Sequence, residues 1–424
     1  MKRLMKTAAA ASLCAAMSLS GCQTASTPVK PEPVPSVADF SQRAKNGDAL
    51  TVVFLGGSLT WGANASNPNL TSYRGQMMQK LRAQYPQARW NFVDAAIGGT
   101  GSQLGNYRLE RDVLKYHPDL VFLDFTLNDN AKTTNDDALA AYEGLIRRIL
   151  TQGRCPVIPV FLASREYVTL PDINTLKRRT SHIELCRHYG LLYADVIKDM
   201  RDDYQAGQLD LNKVWPPELF DTTHPYDYGY NVYAKHVWNA FDAAARTRQV
   251  ITVPEQWLSK PTYAHVTRVK LSDLPQLPQG WKVGYPETRA GTFDFLCSRW
   301  QDNEVIAANC DRIGGDKFKL NGIMPQPLTV KFYGSNVMLF GEATIWTGKY
   351  MVTVDDGKPM VIDVSKWAHT FTPAAYDVKT VAVGLDPAKL HTLVITPLFP
   401  ADKPQILKLE SICIAGPQRA EIVK

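Results

Sequence analysis

Thr51-Val52-Val53-Phe54-Leu55-Gly56-Gly57-Ser58-Leu59-Thr60 is a run of apolar and β-branched residues that stops at two glycines and a serine. A continuous Val/Phe/Leu run without polar alternation suits a parallel strand covered on both faces. Paired glycines let the backbone turn sharply and approach a ligand. Ser58 then presents its hydroxyl beyond the carboxyl end of the strand, the rim where open α/β sheets bind ligands. Taken alone, Gly-Gly-Ser equally describes a serine that caps the next helix.

Strands are expected at 51 to 56, 90 to 96, 119 to 126, 156 to 163 and 190 to 195. Between them lie stretches with helical spacing, such as Leu139, Tyr142, Leu145, Ile146 and Ile149, opened by Asp136 or Asp137 and closed by Gly153. Alternation of strand and helix implies a parallel sheet covered on both sides. Ile97-Gly98-Gly99-Thr100-Gly101 and Leu127-Asn128-Asp129 follow the second and third strands, so Ser58, Gly99 and Asn128 fall on one rim. Further on, Asp221-Thr222-Thr223-His224-Pro225 places an acid and a base three residues apart, and Pro225 restricts His224 to extended backbone angles.

These blocks, in this order, resemble those of the SGNH/GDSL hydrolase family over roughly residues 48 to 245. The resemblance implies a flavodoxin-like parallel sheet and assigns Ser58 as nucleophile and Asp221 and His224 as the acid and base of the triad. The backbone N–H of Ser58, that of Gly99 and the Asn128 amide become the oxyanion hole. The implied mechanism uses no cofactor and no metal. Two residues depart from the pattern: Gly57 stands where the family usually has Asp, and Thr126 where the third block usually has Gly. The G-x-S-x-G elbow of another hydrolase class is absent, because Gly56 and Thr60 flank the serine at those offsets.

Other candidate sites read as structural. His182, Cys186 and His188 lie on an amphipathic helix without a second pair of ligands at matching spacing. No Gly-Lys-Ser/Thr follows Gly56 and Gly57, so they form no phosphate loop. Arg108, Arg111, Arg147 and Arg148 read as solvated helix faces. Asn64-Ala65-Ser66 is a formal glycosylation sequon.

Lys2, Arg3 and Lys6 precede an apolar stretch ending at Leu19-Ser20-Gly21-Cys22. This is the layout of a secretory signal too short to span a bilayer, and its last four residues resemble a bacterial lipobox. Residues 1–21 are expected to be removed and Cys22 to be lipidated, anchoring the protein in a lipid bilayer. Gln23 in the following position favours the outer membrane. Residues 22–39, with Pro28, Pro31, Pro33 and Pro35, read as an extended tether. Loss of three basic residues with the signal leaves 44 Lys+Arg against 41 Asp+Glu, a net +3 that makes no case for nucleic acid. Of the remaining cysteines, Cys297 and Cys310 are close enough to pair in an oxidising compartment, whereas Cys155 and Cys186 read as buried thiols.

A hydrolase domain is expected over 40–250, a linker over 251–284 and an antiparallel β-sandwich, jelly-roll-like, over 285–424. The last follows from short strands such as 328 to 332, 337 to 340 and 391 to 395, joined by turns such as Asp355-Asp356-Gly357-Lys358. It is similar to modules attached to carbohydrate esterases, and Trp300, Trp346, Tyr350 and Trp367 are candidates both for sugar stacking and for core. The expectation is a lipoprotein serine esterase that removes acetyl groups from an acetylated glycan. A thioesterase or lysophospholipase with the same triad, an envelope-glycan acetylesterase and a non-catalytic glycan-binding lipoprotein are the alternatives.

Overall fold

In the computed structural model, which describes residues 33–251, 253–287, 300–315, 317–364 and 374–423, the Val/Phe/Leu run is strand β1 (Ala49–Gly56). It lies between β2 (Arg89–Ala96) and β3 (Leu120–Asp124), and β4 (Val157–Pro159) follows β3. All three pairings are parallel. The order 2-1-3-4 is the flavodoxin-like arrangement. Val52, Val53, Phe54 and Leu55 are wholly buried, as a central strand under helices on both faces requires. Gly56 is in register with Ala96 and with Asp124. The three strands therefore end level, and the loops that follow them open on one rim.

The strand expected at 190 to 195 is reduced to a single parallel bridge between Val160 and Ala194. Asp195 accepts a hydrogen bond from the Lys198 amide and caps the helix Val196–Gln205, so the chain turns helical before a second pair forms. The helix Asp136–Arg148 begins at the first of the two aspartates expected to open it. Asn135 caps it, its Oδ1 accepting from the amides of Asp137 (2.9 Å) and Ala138 (3.3 Å). Asp136 and Asp137 sit in the first turn, where carboxylates complement the helix dipole. The expected tether is shorter than 22–39: Val34 bridges to Ile251, and Ser36 caps the helix Val37–Lys45, which buries Phe40.

Downstream come β5 (His265–Lys270), β6 (Trp281–Gly284), β7 (Glu304–Ala308), β8 (Cys310–Gly314), β9 (Lys317–Leu320), β10 (Leu328–Tyr333), β11 (Asn336–Thr344), β12 (Tyr350–Val354), β13 (Met360–Ile362), β14 (Ala374–Ala382), β15 (His391–Pro397), β16 (Ile406–Gly416) and β17 (Glu421–Val423). One antiparallel sheet runs β13-β12-β15-β10-β17; the other runs β14-β11-β16-β7-β6, with β5 also on β16. Val330, Phe332, Leu393 and Ile395 of the first meet Leu339, Leu409, Ile412 and Ile414 of the second in one core. Part of the segment expected as a linker, 251–284, thus supplies two strands of this sandwich. The rest is pinned to the first domain: buried Glu143 accepts hydrogen bonds from the amides of Leu258 (2.9 Å) and Ser259 (2.7 Å).

β11 and β16 are buried along their whole length, where one-sided alternation is the usual sandwich pattern. Their second face is covered by the hydrolase helices. Met338, Phe340, Cys413 and Ala415 pack against Leu104, Tyr107, Ala140, Ala141 and Tyr263. Asn336 Nδ2 and the Tyr263 hydroxyl both donate to the Asp137 carboxylate, at 2.5 and 3.2 Å, and Arg111 pairs with Asp302 at 3.2 Å. Residues Val34–Lys424 accordingly form one compact unit. Among the described residues, no helix is long and apolar enough to cross a membrane.

Candidate active site

Ser58 stands two residues beyond the end of β1, at the start of the short helix Ser58–Trp61, and is 4% exposed. His224 Nε2 lies 2.7 Å from its Oγ, and His224 Nδ1 lies 2.8 Å from Asp221 Oδ2. A carboxylate only accepts, so Nδ1 carries the proton and donates, which leaves Nε2 free to accept from the Ser58 hydroxyl. The other oxygen of Asp221, Oδ1, accepts from the backbone N–H groups of Thr223 (2.8 Å) and His224 (3.0 Å). Partial burial by itself raises the Asp221 carboxyl, but the amide and ring of His224 and the Thr223 amide together hold it below the usual carboxylate value. The loop is fixed from outside by Trp215 Nε1 donating to Thr223 O (3.3 Å) and by the Arg165 amide donating to Thr222 O (2.9 Å).

Gly99 is exposed and has φ +73°, a left-handed conformation that a side chain would strain. Asn128 follows β3 by four residues and packs on the backbone before the serine: a Cβ added at Gly57 would lie 2.2 Å from Asn128 Oδ1. That contact accounts for glycine at the first departure, because any larger residue displaces the amide. The second departure has its own partner. Thr126 Oγ1 is 2.9 Å from His182 Nδ1, and the His182 ring stacks on Tyr142 at 3.6 Å between centroids. Complete burial, and then the Arg178 charge, drive the His182 pKa well below its ordinary value, so this ring is a neutral packing group.

Asn64, part of the formal sequon Asn64-Ala65-Ser66, donates from Nδ2 to Asp221 Oδ2 (3.0 Å) and to the His224 carbonyl (3.3 Å). Asn64 holds φ +66°, and asparagine tolerates this left-handed conformation better than most residues. Its loop is tied down by Asp227, which accepts from the Ser66 amide (2.8 Å) and Thr71 Oγ1 (2.7 Å), and by the Tyr230 hydroxyl donating to Ala63 O (2.7 Å). Asn64 therefore positions the Asp221 carboxylate and the loop that carries it. Asn64→Ala is expected to lower kcat on a simple ester about fivefold, less than the ~1.5–3 kcal/mol of a buried charge-assisted bond because water reaches the site. KM should stay unchanged, and a rise in KM with constant kcat in steady-state assays would remove the residue from this role.

Two further carboxyls flank Asn128. Asp124 Oδ2 accepts from Thr60 Oγ1 (2.8 Å), and Asp129 Oδ1 accepts from the Ser102 amide (2.9 Å). Burial pushes both up to about 7 from 3.8. In the unfolded chain they ionise near 3.8, so their contribution to stability is fully present below that pH and is lost as pH rises to about 7. Asp124→Asn is accordingly expected to raise the thermal midpoint more at pH 8 than at pH 5, measured by calorimetry.

The remaining candidates resolve as packing groups or lie elsewhere. Cys155, Cys186, Cys310 and Cys413 are buried free thiols. Cys297, the proposed partner of Cys310, lies outside the described residues, as do Cys22 and Trp367. Trp300 and Tyr350 are buried, the latter with its hydroxyl 3.0 Å from Asp377 Oδ2, and Trp346 packs on Phe318 with ring centroids 4.9 Å apart. Burial leaves Trp300 and Tyr350 without a face for a sugar, whereas Trp346 is half-buried. Arg108 is not solvated as expected: it is 1% exposed and donates to the carbonyls of Ala95 (2.5 Å) and Gly56 (3.2 Å), tying together the ends of β1 and β2.

Residues 54–232 match the model of the GDSL-like lipase/acylhydrolase family. This segment belongs to that family. The chain is a carboxylic ester hydrolase, and the departures at Gly57 and Thr126 are accommodated within the acylhydrolase fold. No curated protein matches the chain. Among solved structures, a two-domain esterase (CEX) active on acetylated mannans, co-crystallised with mannopentaose, superposes with TM-score 0.69 at 21% identity, covering 89% of this chain and 93% of that one. A second structure of the two-domain esterase gives TM-score 0.67 at 21% identity over 90% and 95%. Axe2, an acetylxylan esterase from Geobacillus stearothermophilus, covers 46% of this chain and 96% of its own at 17% identity and TM-score 0.40. The first two share the whole order of an acylhydrolase sheet followed by antiparallel sheets.

Proposed function

We propose that the chain is a serine esterase that removes O-acetyl groups from a glycan through an acyl-enzyme intermediate. The observation that carries the reading is the continuous relay of Ser58 Oγ, His224 and Asp221, with heavy-atom distances of 2.7 and 2.8 Å. Ser58 Oγ attacks the ester carbonyl carbon while His224 Nε2 takes its proton. The oxyanion accepts from the N–H groups of Ser58 and Gly99 and from the Asn128 amide. His224 returns the proton to the departing sugar oxygen, and a water activated by the same ring releases acetate from Ser58. Asp221 keeps the ring in the tautomer both steps need.

The glycan part of the reading is supported by the likeness to a two-domain esterase active on acetylated mannans, which extends through the β-sandwich. Acetate release from acetylated mannan, acetylated xylan and isolated cell wall, beside hydrolysis of 4-nitrophenyl butyrate, tests it. Faster acetate release from one of the polysaccharides is the expected result. Turnover confined to longer acyl chains would replace it with the lysophospholipase reading.

We also propose that the enzyme is a lipoprotein held at the outer membrane through Cys22, on the strength of the charged start, the short apolar stretch and Leu19-Ser20-Gly21-Cys22. Cys22→Ser is expected to move the protein from the membrane fraction to the soluble fraction. Retention in the membrane fraction would end the anchor assignment.

A further inference from the structure

A cleft of about 520 Å³ opens beside Asn128, lined by Gln103, Asn128, Asn130, Thr133, Thr134 and Asn135 among others. Its size lies within the ~300–1,000 Å³ of small-molecule sites, but its walls are amides and hydroxyls where such sites are usually apolar. These groups keep capacity for a ligand. Asn130 Oδ1 accepts from the Lys132 amide (3.3 Å), which leaves its Nδ2 to donate. Asn135 Oδ1 is taken by the helix cap, which leaves its Nδ2 likewise. Thr133 Oγ1 donates to Asn130 O (3.3 Å) and keeps its lone pairs. A surface offering both donors and acceptors matches hydroxyl groups, which do both.

The charge around the cleft narrows the ligand further. Neither Lys nor Arg lines it. Neighbouring Lys132 is paired with Glu166, and Arg178, 1% exposed, donates to the Asn135 carbonyl from beneath at 2.5 Å. The one ionisable group in the lining is the Asp129 carboxyl, whose buried Oδ2 has no hydrogen-bond partner. Nothing there receives an anion.

We infer that this cleft is a subsite for the sugar residues next to the acetylated one, and that it takes an uncharged, hydroxyl-rich glycan chain and disfavours one bearing uronates. The inference rests on the acetylesterase reading and adds to it the side of the site along which the chain runs. Asn130 already has φ +61°, so Asn130→Gly removes the amide without straining the backbone, at the cost only of the long Lys132 contact, and Thr133→Val removes the hydroxyl at nearly constant shape.

The test is the ratio of kcat/KM on an O-acetylated mannooligosaccharide to kcat/KM on 4-nitrophenyl acetate, in the full chain carrying both substitutions. Loss of folded protein lowers both terms equally and cancels. The ratio is expected to fall about tenfold, the worth of one or two neutral hydrogen bonds. An unchanged ratio overturns the subsite while leaving the acetylesterase reading in place. Unsubstituted enzyme that deacetylates pectin as fast as mannan overturns the selection against uronates. Absence of Ser58-dependent acetate release from every glycan removes the acetylesterase reading, and the subsite with it.

Discussion

Ser58→Ala is expected to reduce kcat on 4-nitrophenyl acetate by at least about four orders of magnitude while leaving the thermal midpoint nearly unchanged. In the proposed mechanism the hydroxyl is the atom that becomes acylated, and the small space left by its removal lies on the rim of the sheet. His224→Ala should cost about as much. The Ser58→Ala/His224→Ala pair should be no worse than either alone, because the two side chains, 2.7 Å apart, act as one unit. Asp221→Asn is a separate case. It can keep the oxygen that accepts from the Thr223 and His224 amides and so preserve the loop. It presents an NH₂ to His224 Nδ1, however, and stabilises the wrong tautomer, with an expected loss of about 10⁴-fold. Full activity in a folded Asp221→Asn protein, in the same assay, would take the acid out of the mechanism.

Asn128→Ala is expected to lower kcat by about 10²–10³-fold, the typical effect of deleting one preorganised oxyanion donor. Gly57 offers a sharper test of the same donor. Asp is the residue the family usually carries there, and substitution toward a family pattern is ordinarily harmless or stabilising. Here a Cβ at Gly57 would sit 2.2 Å from Asn128 Oδ1, and the side chain that must move is the proposed donor. Gly57→Asp should therefore approach Asn128→Ala in activity with little change in thermal midpoint. The double substitution should add little to either single one. Wild-type turnover in Gly57→Asp would show that the Asn128 amide has no part in stabilising the oxyanion.

Covering the second face of β11 and β16 has a cost for any attempt to separate the two parts. Met338, Phe340 and Cys413 would be left facing water. The β-sandwich thus belongs to the folded unit that carries the active site, and the Arg111–Asp302 pair joins the two directly.

The parallel sheet was legible because its strands are buried on both faces and so read as uninterrupted apolar runs, as in Val52-Val53-Phe54-Leu55. The rim was legible for the same reason: once the strand ends were located, Ser58, Gly99 and Asn128 had to share it, and the spacing of Asp221 and His224 put acid and base on one turn. What depends on contact between distant segments was not. Asn64 meets Asp221 across 157 positions of chain, and no local pattern marks an amide as a carboxylate's partner rather than a sequon. Glycine at 57 and threonine at 126 depart from the family pattern for a reason that lies in Asn128 and His182, which occupy the space beside them. Burial of Trp300 and Tyr350 and the doubly covered faces of β11 and β16 likewise follow from which surfaces pack together. Sequence by itself determined where the central strands run and that Ser58, Gly99 and Asn128 lie beyond their ends, because those follow from periodicity and short spacing. Only the tertiary structure decided which residues orient them and how the two halves join, because hydrogen bonds and packing act between atoms that the chain keeps far apart until it folds.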